Sequence, residues 1–145
     1  MIEAASFFSE VGAELADLGV CLCIEANPEV YGCNFVTHWF EAAELVERVN
    51  SPGIGLHFDV ACTVLSGSDP IAAIRSCAHI VRHFHISEPH LAPLFPPTVD
   101  HASVGTALRQ SGYKGWISIE MRRGDPPLEA VLNAAAYAQR NYLGA

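Results

Sequence analysis

The sequence has very little positive charge. Its 145 residues include a single lysine, Lys114, and Lys and Arg together number 8 against 16 Asp and Glu, for a formal net charge of −8. A nucleic-acid binder needs a basic surface to neutralise phosphates, so this balance argues against that partner. Long apolar runs are also missing. No stretch of about 18 apolar residues occurs, so no membrane-spanning helix is expected. The N-terminus has no basic segment of the kind that opens a secretory signal, so the expected location is the cytoplasm. The five cysteines, Cys21, Cys23, Cys33, Cys62 and Cys77, form no CxxC pair. That counts against a zinc-cysteine site and for small buried thiols in a reducing compartment. Length is short as well, since a full (β/α)₈ barrel needs about 250 residues.

What is present is a folding composition: half of the residues are hydrophobic and 17 % are charged. That excludes a disordered polar chain and is enough for one domain, residues 1–145, with a core. The pattern along the chain alternates. Residues 4–18 carry Phe7, Phe8, Val11, Leu15 and Leu18 at helical spacing, with Gly19 as a stop. Val20 to Ile24 is a continuous apolar run, as in strands buried on both faces of a parallel sheet, and it ends at Glu25-Ala26-Asn27-Pro28. Thr37 is a plausible cap for a helix over 38–49. Ile54 to Phe58 is a second strand ending at Asp59. Asp69-Pro70 opens a helix to about 78, and His79 to Ile86 is a third strand carrying His83 and His85. A proline-rich loop, 87–99, is expected to be rigid. Residues 100–111 read as a helix closed by Gly112. Trp116 to Ile119 is a fourth strand ending at Glu120. Pro126-Pro127 opens a last helix with Leu128, Val131, Leu132, Ala135 and Tyr142 on one face.

The order α-βα-βα-βα-βα predicts an α/β fold, a parallel (β/α) half-barrel of four βα units preceded by a helix. The strand ends fall at positions 25, 59, 85 and 120. Each ends in a potential metal ligand: Glu25, Asp59, His85 and Glu120. Functional groups gather at the C-terminal ends of parallel strands, and adjacent strands lie roughly 4.8 Å apart. Four consecutive ends can therefore surround one ion. Three carboxylates and an imidazole are mostly hard donors and suit Mn²⁺ or Mg²⁺, with Co²⁺ and Zn²⁺ also accommodated. His83 alternates with His85 on one face and His57 shares a face with Asp59. Both are candidates for orienting a ligand or a substrate oxygen. Glu88 and His90, in the loop after the third strand, are candidate substrate contacts. Arg122, next to Arg123, is a candidate for an anionic group. His38, His79 and His101 read as helix or surface residues.

The stretches Ile24-Glu25-Ala26-Asn27-Pro28, Tyr31-Gly32-Cys33-Asn34-Phe35, Leu56-His57-Phe58-Asp59, Arg82 to Glu88 and Gly112 to Met121 together resemble the xylose-isomerase-like TIM barrels, the sugar phosphate isomerase/epimerase family. The resemblance covers nearly the whole chain and corresponds to strands five to eight of the barrel. It implies a divalent metal held by Glu25, Asp59, His85 and Glu120. It also implies Glu25 and Glu120 as the acid/base pair, for a sugar or sugar phosphate isomerised or epimerised through an enediolate. Two positions depart from the family's ketose epimerases: Cys62 stands where they carry a histidine and Leu91 where they carry an arginine. The approach Leu94-Phe95-Pro96-Pro97-Thr98 also lacks the family's glycines. Substrate handling is therefore expected to differ.

Two rival readings are an endonuclease IV-like metal-dependent phosphodiesterase and a non-catalytic truncated barrel that keeps its metal site. The first wants more histidine ligands and a basic surface. Four parallel strands also leave two open edges and, on the apolar pattern of barrel interiors, an uncovered apolar inner face. The expected partners are therefore a small carbohydrate and either a second copy of the chain or a separate N-terminal half-barrel.

Overall fold

The computed structural model describes residues 1–144. Helix α1 (Ile2–Asp17) comes first, and Gly19, at φ +68°, turns the chain out of it. Strand β1 (Leu22–Glu25) follows, then a short 3₁₀ turn at Glu29–Tyr31 and helix α2 (Trp39–Val49). Strand β2 (Ile54–Asp59) runs directly into α3 (Val60–Leu65), which is followed by α4 (Pro70–Cys77) and strand β3 (Val81–Ser87). A turn at Pro89–Leu91, helix α5 (His101–Gln110), strand β4 (Trp116–Glu120) and helix α6 (Pro127–Ala138) complete the order. A wider π turn, Gln139–Leu143, ends it.

The four strands form one parallel sheet in the order β1-β2-β3-β4. The expected α/β half-barrel is the fold observed. Several boundaries move. The first strand begins at Leu22 rather than Val20, and it is half-exposed because it is an edge strand, not buried on both faces. Helix α2 starts after His38 instead of after Thr37. Both the Thr37 and His38 amides donate to the Glu41 carboxylate, at 2.7 and 3.1 Å, so Glu41 reaches back over the helix start. Helix α3 has no separate hydrophobic signal. It forms because Asp59, the last strand residue, caps it by accepting from the Cys62 amide at 2.6 Å.

Alternation splits each strand between two environments. Ile24, Leu56, Phe58, Phe84 and Ile86 pack against the helices as the buried core, with Phe58 and Phe84 stacked at 5.3 Å. The opposite, inner face holds Cys23, Glu25, Gly55, His57, Asp59, His83, His85, Ser87, Ser118 and Glu120. The expectation of an apolar inner face is thus wrong for most of the row, which is polar; Trp116, the register partner of His83 and of one parity with Ser118 and Glu120, is its one large apolar side chain and is exposed. A register shift between Leu56 and His57 leaves Arg82 as the extra residue of β3. Its side chain crosses Gly55, where an added Cβ would lie 2.2 Å from the Arg82 Cγ.

Apolar surface is exposed at the two sheet edges instead. Phe7 and Leu18 of the α1 side, and Trp116, Leu128, Val131 and Leu132 of the β4–α6 side, are all solvent-exposed. The helical spacing expected for α6 holds for Leu128, Val131, Leu132 and Ala135, but Tyr142, expected on the same face, lies beyond the helix in the π turn and is buried. On α6 itself only Ala134 is buried, because no other part of the described chain covers its apolar face. Among the cysteines, all free, Cys62 and Cys77 are buried as expected, whereas Cys21 is exposed.

Candidate metal centre

Glu25, Asp59 and Glu120 at the ends of their strands converge with His85, which lies two residues before the end of β3. Glu25, Asp59, His85 and Glu120 each offer one ligand atom, and these atoms all lie within 4.8 Å of one another. His85 is the hub. Its Nδ1 lies 3.6 Å from Asp59 Oδ2, 3.5 Å from Glu120 Oε2 and 3.9 Å from Glu25 Oε1. Donors around an ion at about 2.1 Å stand about 3.0–4.2 Å apart, so this spacing fits a divalent cation with little movement. The same Nδ1 is buried and makes no hydrogen bond. A buried polar atom without a partner, facing three carboxylate groups, is what a cation would satisfy.

The register explains the convergence. Asp59 and His85 are paired across β2 and β3, while Glu25 lies two residues earlier in register, opposite His57, and Glu120 two residues later, opposite Ser87. The ligands therefore climb across the sheet in the stagger of a curving barrel.

Environment separates the four chemically. Asp59 is fixed: its Oδ1 accepts from the Cys62 amide, and its Oδ2 accepts from the Ser87 hydroxyl at 2.7 Å. Burial alone would raise its pKa, but the His85 ring and these hydrogen bonds outweigh burial and hold it below the usual carboxylate value. Glu25 is shifted the other way, upward, by burial and then by the neighbouring Asp59 and Glu120 charges. Burial would lower His85, yet Asp59, Glu120 and Glu25 together raise it. Opposed shifts in one cleft mark it as a candidate functional site.

His57 and His83 sit on the same inner face, beside His85. The His57 Nε2 lies 3.7 Å from Glu25 Oε1, and His83 Nε2 meets the Ser118 hydroxyl at 2.6 Å. Burial, then His85 and His83, push His57 down to about 4, and burial followed by His85 lowers His83.

The remaining candidates lie apart from the cluster. Glu88 is 1 % exposed. Its carboxylate accepts from the Thr98 amide at 3.0 Å, the Thr98 hydroxyl, the Val99 amide at 3.1 Å and His101 Nε2 at 3.0 Å. It braces the proline-rich loop instead of facing a substrate. His101, read as a surface or helix residue, is completely buried, with Nδ1 at 2.6 Å from the Tyr142 hydroxyl. His90 is exposed, at φ +60°, and its amide donates to the Tyr31 hydroxyl at 3.0 Å. Arg122 is exposed, and its amide donates to the Leu91 carbonyl at 2.8 Å, tying the loop to the end of β4.

Three residues near the site carried no ligand-type signal. Ser87 orients Asp59. Cys62 is kept a thiol by burial and by the Asp59, Glu25 and Glu120 charges, which raise its pKa. Tyr31 is raised by burial, with smaller effects from Cys62, Asp59 and Glu120, so it lies within reach of their charges. The signal for Ser87 was its inward parity two residues after His85.

The sequence matches the family described as xylose isomerase-like TIM barrel over residues 2–141. The chain belongs to that family. A ketose 3-epimerase of Arthrobacter globiformis is 29 % identical over 110 residues, covering 76 % of this chain and 38 % of that protein. An L-ribulose 3-epimerase of a Methylomonas species is 28 % identical over 105 residues, covering 72 % and 36 %. The fold is similar to the crystal structure of a 3-keto-D-glucoside 4-epimerase from E. coli. There the TM-score is 0.85 at 17 % identity, over 94 % of this chain and 52 % of that one. The chain thus spans well under half the length of the curated relatives it matches and about half of that solved structure.

Proposed function

We propose that this chain is the metal-binding half of a sugar or sugar phosphate isomerase/epimerase, with Glu25, Asp59, His85 and Glu120 holding one divalent cation. The observation that carries the reading is the convergence of four candidate ligands from four consecutive strands. The family match and the epimerase relatives support the reaction class. Three carboxylates and one imidazole favour Mn²⁺ or Mg²⁺, and Co²⁺ or Zn²⁺ also fits the donor set.

When bound, the cation supplies Lewis-acid stabilisation of the negative charge that develops as a proton leaves the carbon next to a ketose carbonyl. The protein's own residues do the rest. Asp59, buried and already accepting two hydrogen bonds, is a fixed ligand rather than a base. Glu25 and Glu120 come from the two outermost strands and so approach a bound sugar from opposite sides. One takes the proton and the other returns it to the opposite face, which is epimerisation. Because β1 and β4 leave free edges, the working site also needs four more parallel strands, from a second copy of this chain or from a separate N-terminal half-barrel.

The test is exchange of solvent deuterium into candidate ketoses with Mn²⁺ present. Exchange lost in Glu25→Gln or Glu120→Gln is expected. Metal bound with no exchange into any ketose, in the closed assembly, would leave a metal-binding protein without turnover.

A further inference from the structure

Level with Glu25 and below Asp59 and Glu120, the inner face carries a second group of donors. Barrel interiors at this level are filled by branched apolar side chains. Here His57 on β2 and His83 on β3 are direct register partners, and His85 lies one step above. The ring centroids are 4.9 Å apart for His57 and His83, 4.0 Å for His57 and His85, and 5.2 Å for His83 and His85, all edge to face. One nitrogen from each ring lies within 4.8 Å of the others.

Packing alone does not explain the trio. Three neutral imidazoles packed edge to face would still need hydrogen-bond partners for their buried nitrogens. His83 Nε2 has Ser118. His57 Nε2 is buried and has none, and with His85 Nδ1 it makes the two unpartnered buried side-chain polar atoms among the described residues. The carboxylate site accounts for His85 Nδ1. For His57 Nε2 the nearest acceptor in that site, Glu25 Oε1, stands 3.7 Å away, too far for a hydrogen bond, so the carboxylate site leaves His57 without a partner.

We propose that His57, His83 and His85 form a second divalent-cation site, nitrogen-rich, that takes a borderline ion such as Cu²⁺, Ni²⁺ or Zn²⁺ beside the oxygen-rich site. It rests on the reading of His85 as a ligand of the first ion, since the two sites share that ring. The sharing is chemically sound. The two nitrogens of an imidazole point in different directions, and Nδ1 of His85 faces the carboxylates. The other nitrogen can serve the second ion, its proton passing to solvent as the metal binds. Three imidazole donors prefer borderline ions over Mn²⁺ or Mg²⁺, so the two sites sort metals by donor type. The three nearby carboxylates, Glu25, Asp59 and Glu120, offset most of the charge of two dications.

The experiment uses the full chain without a histidine tag, first saturated with Mn²⁺ and then titrated with Cu²⁺, followed by electron paramagnetic resonance. One Cu²⁺ is expected to bind while Mn²⁺ stays, with the Mn²⁺ signal altered because the two spins couple through the shared ring. With Mg²⁺ in place of Mn²⁺ the copper spectrum is expected to be split by about three nitrogens. His57→Gln and His83→Gln should each weaken copper binding by about 10-fold or more and lower the nitrogen count. Their Mn²⁺ binding should persist, which also reports that the variants are folded. Copper that enters only by displacing Mn²⁺ overturns the proposal. So does a His57→Gln/His83→Gln double variant that binds copper with unchanged stoichiometry. If Mn²⁺ fails to bind the unaltered chain, the carboxylate site falls alone, and the copper titrations of the histidine variants still decide the triad.

Discussion

Ser87 donates its hydroxyl to Asp59 Oδ2 at 2.7 Å while accepting the Ala61 amide at 2.9 Å, and all of this is buried. One hydroxyl therefore couples the end of β3 to a proposed metal ligand and to the first turn of α3. Replacing Ser87 with Ala leaves a buried carboxylate oxygen and a buried amide without partners. The expected cost is about 1–3 kcal/mol of stability. Metal affinity should fall by about 10- to 100-fold, because the ligand loses its orientation. Chemical denaturation and Mn²⁺ titration of Ser87→Ala check the two effects separately. Unchanged metal affinity would remove Ser87 from the site.

The Glu88–His101–Tyr142 chain predicts a pH dependence away from the metal. Burial lowers the His101 pKa in spite of Glu88 and Asp100. The unfolded chain, with an ordinary histidine near 6.5, then binds the proton before the folded one does. Stability is therefore full above about pH 6.5 and falls as pH drops below that value toward the depressed folded pKa. His57, pushed to about 4, acts in the same direction in the metal-free chain. Because His85 and Glu25, both raised, act in the opposite direction, the assignment is read from a difference: between pH 7.5 and 5.0 the urea midpoint of the metal-free unaltered chain should fall further than that of His101→Gln. The same change in both proteins contradicts the assignment.

Gly105 in α5 marks where the π turn at the C-terminus packs most closely. A Cβ there would lie 2.2 Å from the Asn141 carbonyl oxygen, a backbone atom that cannot step aside alone. Gly105→Ala should destabilise by about 1–3 kcal/mol despite its better helix propensity. Thermal melting would read this directly. A stabilised variant would mean that the Asn141–Tyr142 segment is free to move off α5.

The exposed apolar edges predict association. Trp116 is 82 % exposed, and Leu128, Val131 and Leu132 line the outside of α6, while Phe7 and Leu18 mark the α1 side. Light scattering should give a mass above that of one chain, and Trp116→Lys with Leu132→Lys should lower it. A well-behaved monomer at high concentration contradicts closure by a second copy. Such a monomer leaves closure to a separate half-barrel, which must then shift its mass on mixing.

Much of this was legible in the sequence for a physical reason. The parallel sheet and its order follow from apolar runs separated by helical periods. The four candidate ligands follow from position: Glu25, Asp59 and Glu120 close their strands, and His85, expected at a strand end, stands two residues before the end of β3 on the same face, where parallel strands expose their carboxyl ends. What could not be read were features set by contacts distant in sequence. Glu88 looked like a loop carboxylate because its partners, Thr98 and His101, come 10 and 13 residues later. Helix α3 was hidden because its cap, Asp59, had already been read as the end of a strand. The inner face was expected to be apolar because barrel interiors usually are. Its polarity is spread over His57, His83 and Ser118 on three different strands, and only the register brings them together.

The four-ligand site is tested most directly by Mn²⁺ titration of the purified chain beside Glu25→Gln, Asp59→Asn, His85→Gln and Glu120→Gln, read by electron paramagnetic resonance. The prediction is one Mn²⁺ per unaltered chain at this site and a loss of affinity of at least about 10-fold in each variant. Binding that is absent from the unaltered chain, or equal in all four variants, would contradict it.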